Sequence, residues 1–157
     1  VTFMQMDAEA LQFPDTSFDI VFDGGTFSSI DIEKAFREIS RVLKPDGKLI
    51  GIETFGHHPL GNFKRWGNKK RGIRTGWATS HIMKSKDFQL AEKYFQNIDV
   101  KFFHFLSLPL IPLQEFPGGT LLCAFFESMD RLLFGIFPPL RRYGFKTVFI
   151  FSNPKTS

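Results

Sequence analysis

Apolar and polar positions follow strand and helix periods in turn along the first third of the chain. Residues 18–22 form an apolar run broken only by Asp19, which predicts a strand covered on both faces. Apolar residues then recur at helical spacing, so we expect a helix that begins near Ser29 or Asp31 and stops at residues 45–47. Residues 48–53 read as the next strand. Strand, helix and strand in this order predict a parallel pair with a right-handed crossover.

The other segments are assigned from the same patterns. Residues 1–6 are predicted to form a short strand, and residues 14–17 have turn chemistry. Residues 54–84 show no clear period and are interpreted as a long loop with at most one helical turn. Next we predict a helix over 85–95 capped by Ser85, followed by a strand over 99–106. A connection over 109–119 then leads to an apolar helix over 120–137, which we expect to pack on the sheet, and to a last strand over 144–151. No repeat or domain boundary interrupts them, so residues 1–157 are expected to form a single domain.

Composition and charge narrow the class of partner. The chain contains 21 Phe, enough to fill a core and also to line a pocket for an apolar ligand. Residues 1–53 carry 5 basic and 10 acidic side chains, whereas residues 54–157 carry 15 basic and 6 acidic ones. This uneven charge indicates that the second part faces an anionic partner or surface.

Cysteine content and hydropathy favour a cytoplasmic protein without a membrane span. The single Cys123 excludes an internal disulfide and fits a reducing compartment. No apolar stretch continues for the roughly 20 residues that a bilayer requires. His81 and His104 have no Cys or carboxylate at metal-ligand spacing, so no metal is predicted. Peripheral contact with a membrane surface stays compatible with the sequence.

Three groups of polar residues follow the predicted strands, where open α/β sheets bind ligands. They are Asp7 with Ala8, then Asp23-Gly24-Gly25, then Glu53 with His57 and His58. An acid at a strand end can accept a hydrogen bond from the adenine amine, and the next backbone N–H can donate to the ring, although turns also favour Asp. His57 or His58 could remove a proton from an acceptor, or both could be exposed loop residues.

The order and spacing of three motifs resemble one enzyme family. The motifs are Asp7-Ala8-Glu9-Ala10-Leu11-Gln12-Phe13-Pro14-Asp15, then Ser17-Phe18-Asp19-Ile20-Val21, then Arg41-Val42-Leu43-Lys44-Pro45-Asp46-Gly47. Together they resemble class I S-adenosylmethionine-dependent methyltransferases of type 11. The resemblance implies an α/β fold, a Rossmann-like three-layer sandwich of which the chain would hold strands 3 to 7, with a mostly parallel sheet and an antiparallel last strand.

The resemblance also implies a cofactor and the residues that bind it. S-adenosylmethionine would place its adenine at Asp7 and Ala8, with Glu9 nearby, and its methionine part above Asp23, Gly24 and Gly25. Residues 1–53 would then form the cofactor side, residues 54–84 a basic loop, and residues 85–157 the acceptor side.

The chain departs from the family at several places. The glycine-rich loop and the ribose-binding acid of the family are not among its residues, and Ser28-Ser29 stand where the family often has His. The family sheet order is 3-2-1-4-5-7-6, so residues 1–6 would lack a neighbour. We therefore expect a fragment of a longer enzyme or, alternatively, a first strand that moves across to pair with residues 18–22.

These observations lead to two hypotheses about function. The first is methyl transfer from S-adenosylmethionine to O, N or C of a small or lipid-like acceptor, with this chain inactive by itself. The second is a non-catalytic methyltransferase-like module that binds a partner, nucleic acid or an anionic surface through the basic residues 64–74. Nucleic acid is the least favoured of these partners.

Overall fold

A four-stranded mixed sheet organises the chain. The computed structural model describes residues 2–72 and 81–155. The strands are β1 (Phe18–Asp23), β2 (Leu43–Thr54), β3 (Phe95–Phe103) and β4 (Lys146–Pro154), in the spatial order β1-β2-β4-β3. The pair β1–β2 is parallel, and β4 is antiparallel to both β2 and β3. Three strands therefore point one way and the last strand points the other, as expected for strands 4, 5, 7 and 6 of the family.

Among residues 2–72 and 81–155, four α-helices and three 3₁₀ segments surround the sheet. The α-helices are α1 (Ile32–Val42), α2 (Pro59–Lys70), α3 (Ser85–Ala91) and α4 (Gly119–Ile136). The 3₁₀ segments cover Phe27–Ser29, Leu108–Glu115 and Pro138–Tyr143. Of the helices described, none is both long and apolar enough to cross a bilayer.

Helix α1 begins where its capping residue satisfies the free backbone N–H groups. Asp31, rather than Ser29, is the cap, and its carboxylate accepts hydrogen bonds from the backbone of Glu33 at 3.1 Å and Lys34 at 3.3 Å. The buried face of the helix consists of Ala35, Phe36, Ile39, Ser40 and Val42. This face covers one side of the sheet, as the helical period predicts.

Aromatic rings fill the core between α1 and the sheet. Phe149 and Phe151 on β4 stack with ring centroids 4.5 Å apart, and Phe36 meets Phe151 edge-on at 5.7 Å. Gly51 on β2 leaves room for this stack, because a Cβ there would lie 2.0 Å from the ring of Phe149. Many of the Phe residues therefore serve the core.

The opposite face of the sheet remains open among the described residues. Ile20 and Phe22 of β1 are 58% and 64% exposed, and Ile52 and Ile150 on the same face are 37% and 38% exposed. The described residues thus supply the sheet and one helical layer of the predicted three-layer sandwich.

The prediction of a strand over residues 1–6 is wrong for the part that the structure describes. Residues 2–6 form no strand, and residues 2–5 are exposed. Strand β1 pairs with β2, and residues 2–6 do not cross over to its other edge. A strand needs a neighbouring ladder to satisfy its backbone, and this segment pairs with none of the described strands.

Two predicted segments differ from the structure around residues 54–95. Helix α2 runs for 12 residues where a loop with one helical turn was predicted, and residues 73–80 of that loop lie outside the described residues. Ser85 is the first residue of α3 rather than its cap, and the backbone N–H of Lys84 donates to Asp87 at 2.7 Å. The helix ends at Ala91 because Phe95 already belongs to the buried start of β3.

Helix α4 follows its predicted bounds closely but packs differently. Its partners are chiefly the 3₁₀ segments Leu108–Glu115 and Pro138–Tyr143 instead of the sheet face. Leu121 and Phe125 are consequently 78% and 61% exposed. Buried Asp130 fixes the helix to the end of β3, since its carboxylate accepts hydrogen bonds from the backbone of Phe105, Leu106 and Ser107.

Candidate functional site

The parallel strands β1 and β2 bring two acidic residues to the same edge of the sheet. Strand β1 ends at Asp23, which lies opposite Gly51, and β2 continues through Glu53 to Thr54. Carboxyl ends of parallel strands are where open α/β sheets bind ligands. The predicted positions Asp23 and Glu53 are therefore neighbours at this edge.

Asp23 shapes the loop that follows β1. Its buried carboxylate accepts hydrogen bonds from the backbone N–H of Gly25 at 3.2 Å and of Thr26 at 3.0 Å, and also from the Thr26 hydroxyl. Gly25 adopts a φ of +103°, which favours glycine, and Gly24 is exposed. The side chain of Asp23 thus holds the exposed backbone of Gly24 and Gly25 in place.

Glu53 is a buried carboxyl group with an altered acidity. It is 3% exposed, and its oxygens accept hydrogen bonds from the backbone N–H of Phe27 at 2.8 Å and of Thr54 at 3.3 Å. Burial, followed by the charge of Asp23, raises the pKa of Glu53 to about 7. This group therefore changes its protonation near neutral pH.

The segment around Asp7 lies against the start of α1. Asp7 is exposed, and its Oδ1 accepts a hydrogen bond from the backbone of Glu9 at 2.9 Å. Glu9 in turn accepts from the backbone of Asp31 at 2.8 Å and approaches Nζ of Lys34 at 3.3 Å. Glu9 therefore anchors the segment to the helix, while Asp7 and half-buried Ala8 remain accessible.

Arg41 of α1 clamps the rest of this segment. Its guanidinium donates to the backbone carbonyls of Phe13 at 2.8 Å and Leu11 at 2.9 Å, and to Asp15 at 2.6 Å. It also donates to Glu38 at 2.7 Å, whose carboxylate accepts from the backbone of Leu11. These bonds raise the pKa of Arg41 and lower that of Glu38. A segment without helix or strand is thus fixed by side chains.

The two candidate histidines have different surroundings. His58 is 2% exposed, and its Nδ1 accepts from the backbone of Gly61 at 3.2 Å while Nε2 lies 3.0 Å from the carbonyl of Phe105. Both ring nitrogens of His58 are therefore occupied within the protein, with the proton on Nε2. His57 is half-buried, and burial, followed by the charge of Lys84, lowers its pKa. The catalytic role of either residue stays a prediction, and the geometry favours His57.

The basic run 64–74 lies mainly at the end of α2, and residues 73 and 74 fall outside the described residues. Trp66 is 54% exposed and stacks on Phe63 with centroids 6.0 Å apart. Lys70 places its Nζ 3.9 Å from the centre of the Trp66 ring. This surface combines exposed aromatic rings with cations.

Sequence reasoning missed two polar side chains that build the site. Arg41 was noted as part of a motif, but its reach to Leu11 and Phe13 depends on the packing of α1. Asp130 is an acid within the predicted apolar helix over 120–137, and that pattern was the available signal for a buried carboxylate that accepts backbone hydrogen bonds. Within residues 2–72 and 81–155, no group of three or more His, Cys, Asp or Glu side chains is arranged to hold a metal ion.

Comparison with known proteins agrees with this arrangement. Residues 1–51 match the sequence model of a family described as a methyltransferase domain. The ubiquinone/menaquinone biosynthesis C-methyltransferase UbiE of Pseudoalteromonas translucida (strain TAC 125) is 44% identical over 54 residues, which are 34% of this chain and 22% of that protein. The chain thus spans about a fifth of the length of the curated relatives it matches.

Solved structures share the fold over nearly the whole chain. An S-adenosylmethionine-dependent methyltransferase of Thermotoga maritima, described as a possible histamine N-methyltransferase, has a TM-score of 0.62 at 20% identity, covering 98% of this chain and 64% of that one. The phosphoethanolamine N-methyltransferase 2 of Haemonchus contortus, with phosphomonomethylethanolamine and S-adenosylhomocysteine, has a TM-score of 0.59 at 22% identity, covering 95% and 36%. At these identities the similarity shows the fold.

The sheet order and the edge site define a Rossmann-like α/β domain. The matched segment, residues 1–51, is similar to class I S-adenosylmethionine-dependent methyltransferases, as the sequence motifs indicated.

The residues present fit part of the family's cofactor. The Asp7 carboxylate is exposed, and its Oδ2 makes no hydrogen bond to another described residue, so it can accept one from an amine. The exposed backbone of Gly24 and Gly25 leaves space beside the end of β1. The adenine and methionine ends of S-adenosylmethionine thus each have a suitable group in this chain.

Proposed function

We propose that this protein transfers a methyl group from S-adenosylmethionine to a small or lipid-like acceptor. The observation that carries the proposal is the pair of exposed Asp7 and half-buried Ala8, held by Glu9 and Arg41 within the segment that matches the methyltransferase domain. When bound, S-adenosylmethionine supplies a methyl group already activated by its sulfonium. The protein then needs mainly to orient the two reactants.

Each residue of the site has a role in this proposal. Asp7 accepts a hydrogen bond from the adenine amine, and the backbone N–H of Ala8 donates to the ring. Asp23 fixes the exposed backbone of Gly24 and Gly25 beneath the methionine part. His57, kept neutral by its lowered pKa, accepts the proton that the acceptor loses.

The acceptor is inferred from this chain rather than from its relatives. The similar proteins include a ubiquinone/menaquinone biosynthesis C-methyltransferase and a phosphoethanolamine N-methyltransferase, and the first is matched only over residues of the cofactor side. The many exposed apolar side chains of α2 and α4 favour a hydrophobic acceptor.

Calorimetric titration of this chain with S-adenosylmethionine tests the proposal. The family's glycine-rich loop is not among the 157 residues, so we expect weak binding, in the high micromolar to millimolar range, and no turnover by the chain alone. We expect adenosine to compete, because the chain holds the adenine side. The variant Asp7→Ala is expected to weaken binding at least fivefold, whereas Asp99→Ala, which replaces an exposed acid on β3, is not.

Two outcomes would count against the proposal. One is the absence of binding heat at millimolar S-adenosylmethionine. The other is an Asp7→Ala variant that binds as tightly as the unmodified chain.

A further inference from the structure

An apolar cavity lies beyond the sheet edge, away from the Asp7 segment. It has a volume of about 480 Å³, is open on one side, and is lined by the start of α2, the 3₁₀ segment Leu108–Glu115 and the start of β4. Among its lining residues are Leu60, Leu108, Ile111, Pro112, Phe145 and Lys146. Small-molecule sites typically enclose about 300–1,000 Å³ and have mostly apolar walls with few polar groups.

Hydrogen bonds to neighbouring strands hold the floor of this cavity. The backbone N–H of Phe145 donates to the carbonyl of Phe103 at 2.8 Å, and the backbone N–H of Phe55 donates to the carbonyl of Phe145 at 2.7 Å. Asp130 fixes the turn that leads into the 3₁₀ wall through the backbone of Leu106 and Ser107. The cavity is therefore built into the fold at the carboxyl ends of β2 and β3.

Lys146 gives the cavity a single positive charge. Among the described residues that line the cavity it is the only ionisable one, and it is exposed. Within residues 2–72 and 81–155, no carboxylate forms an ion pair with it. Apolar walls with one unpaired cation suit a ligand that has an apolar chain and an anionic group.

Strand register sets the length of a ligand that could reach from this cavity to the cofactor loop. Lys146 lies opposite Thr54 on β2, whereas Asp23 lies opposite Gly51. Two strand spacings separate the two residues across the sheet, which is about 10 Å. Three residues separate them along the strands, which is again about 10 Å, so the direct distance between them is about 14 Å. A ligand that occupies the cavity and extends to the Asp23 loop must therefore be elongated.

We propose that this cavity binds the apolar chain of the methyl acceptor and that Lys146 pairs with a carboxylate on it. The acceptor is then an elongated anionic amphiphile of the long-chain carboxylic acid class, and the O, N or C that takes the methyl group lies away from the carboxylate, on the part of the molecule that reaches the Asp23 loop. This inference rests on the proposed methyl transfer for the identity of the occupant, while the binding itself can be measured without a methyl donor.

Fluorescence titration of this chain with cis-parinaric acid, and separately with its methyl ester, tests the inference. Ile111→Trp fills the cavity, so affinity for both ligands is expected to fall at least tenfold. Lys146→Gln is expected to weaken binding of the acid about fivefold, the size of an exposed ion pair, and to leave the ester unchanged. Lys48→Gln, at the far end of β2, is the matched control and is expected to bind both ligands normally.

The inference would be overturned if a folded Ile111→Trp variant bound the acid normally, or if Lys146→Gln affected acid and ester equally. If circular dichroism shows that Ile111→Trp does not fold, the comparison of acid with ester in Lys146→Gln decides. Binding of the acid without binding of S-adenosylmethionine would support the cavity and count against the methyl transfer. Binding of S-adenosylmethionine without binding of the acid would support the methyl donor site and overturn the proposed ligand of the cavity.

Discussion

The carboxylate of Glu53 accepts a hydrogen bond from the backbone N–H of Phe27 at 2.8 Å. This bond joins the end of β2 to the turn that leads into α1, and the loop shaped by Asp23 passes between these two elements. Glu53 therefore stabilises the backbone on which the proposed donor site depends, although it is not an exposed ligand itself.

The raised pKa of Glu53 predicts a specific pH dependence of stability. The folded state, with a pKa of about 7 in place of the ordinary 4.5, binds the proton more tightly than the unfolded chain. The contribution of protonated Glu53 to the free energy of unfolding is therefore fully present below about pH 4.5. It is lost as the pH rises through 7, and the total loss is about 3 kcal/mol. Urea unfolding between pH 5 and 8 should show this loss, and Glu53→Gln should remove most of it.

The matched control for this experiment is Glu115→Gln, which replaces an exposed acid. It should retain the pH dependence of the unmodified chain. If the free energy of unfolding changed with pH equally in the Glu53→Gln variant and in the unmodified chain, the pH dependence could not be assigned to Glu53.

Loss of Arg41 should loosen the segment that carries Asp7. Arg41→Ala removes the donors to Leu11, Phe13 and Asp15, so we expect a loss of about 2 kcal/mol in the free energy of unfolding. Hydrogen exchange at residues 9–17 should accelerate, and the affinity for S-adenosylmethionine should fall. Arg37→Ala, an exposed residue of the same helix, should change none of these by more than a small amount. An unchanged exchange rate in Arg41→Ala would show that the clamp is not needed.

Substitution of His58 and substitution of His57 should differ in their effect on stability. His58→Ala leaves the buried carbonyl of Phe105 and the N–H of Gly61 without partners, and should cost about 2–3 kcal/mol in the free energy of unfolding. His57→Ala should change stability by less than about 0.5 kcal/mol. The affinity of the His57→Ala variant for S-adenosylmethionine should match that of the unmodified chain, because the role proposed for His57 is toward the acceptor. Normal stability of His58→Ala, measured by urea unfolding, would argue against its structural role.

Gly51 and Gly135 provide a matched pair of glycine substitutions. Gly51→Ala would place a Cβ 2.0 Å from the ring of Phe149, so we expect a loss of about 3 kcal/mol from overpacking. No atom would lie within 4 Å of a Cβ at Gly135, which is inside α4. Gly135→Ala should therefore stabilise the protein by about 0.5–1 kcal/mol. Thermal unfolding of both variants checks the pair, and a stable Gly51→Ala would show that the aromatic stack can shift.

Elements with a local signal were predicted well. The start of α1, with Asp31 as one of two candidate caps, the strand β1 and the long helix α4 each follow from residues that are neighbours in sequence. The start of β3 and the extent of α2 were predicted less well, because burial of Phe95 and contacts of Arg65 with Phe55 involve segments that are distant in sequence. Site residues at strand ends were named from the sequence, but their contacts were not.

The sequence by itself determined the order of the four strands and of helices α1, α3 and α4, the methyltransferase motifs from Asp7 to Gly47 and the positions of Asp23 and Glu53 at strand ends, because period, capping and turn chemistry are local properties. Only the tertiary structure decided that residues 2–6 form no strand, that Arg41 clamps the Asp7 segment and that burial beside Asp23 raises the pKa of Glu53. It also decided that Leu60, Ile111 and Lys146 share one cavity. Strand pairing, desolvation and cavity shape arise from groups far apart in the chain, so no local pattern can record them.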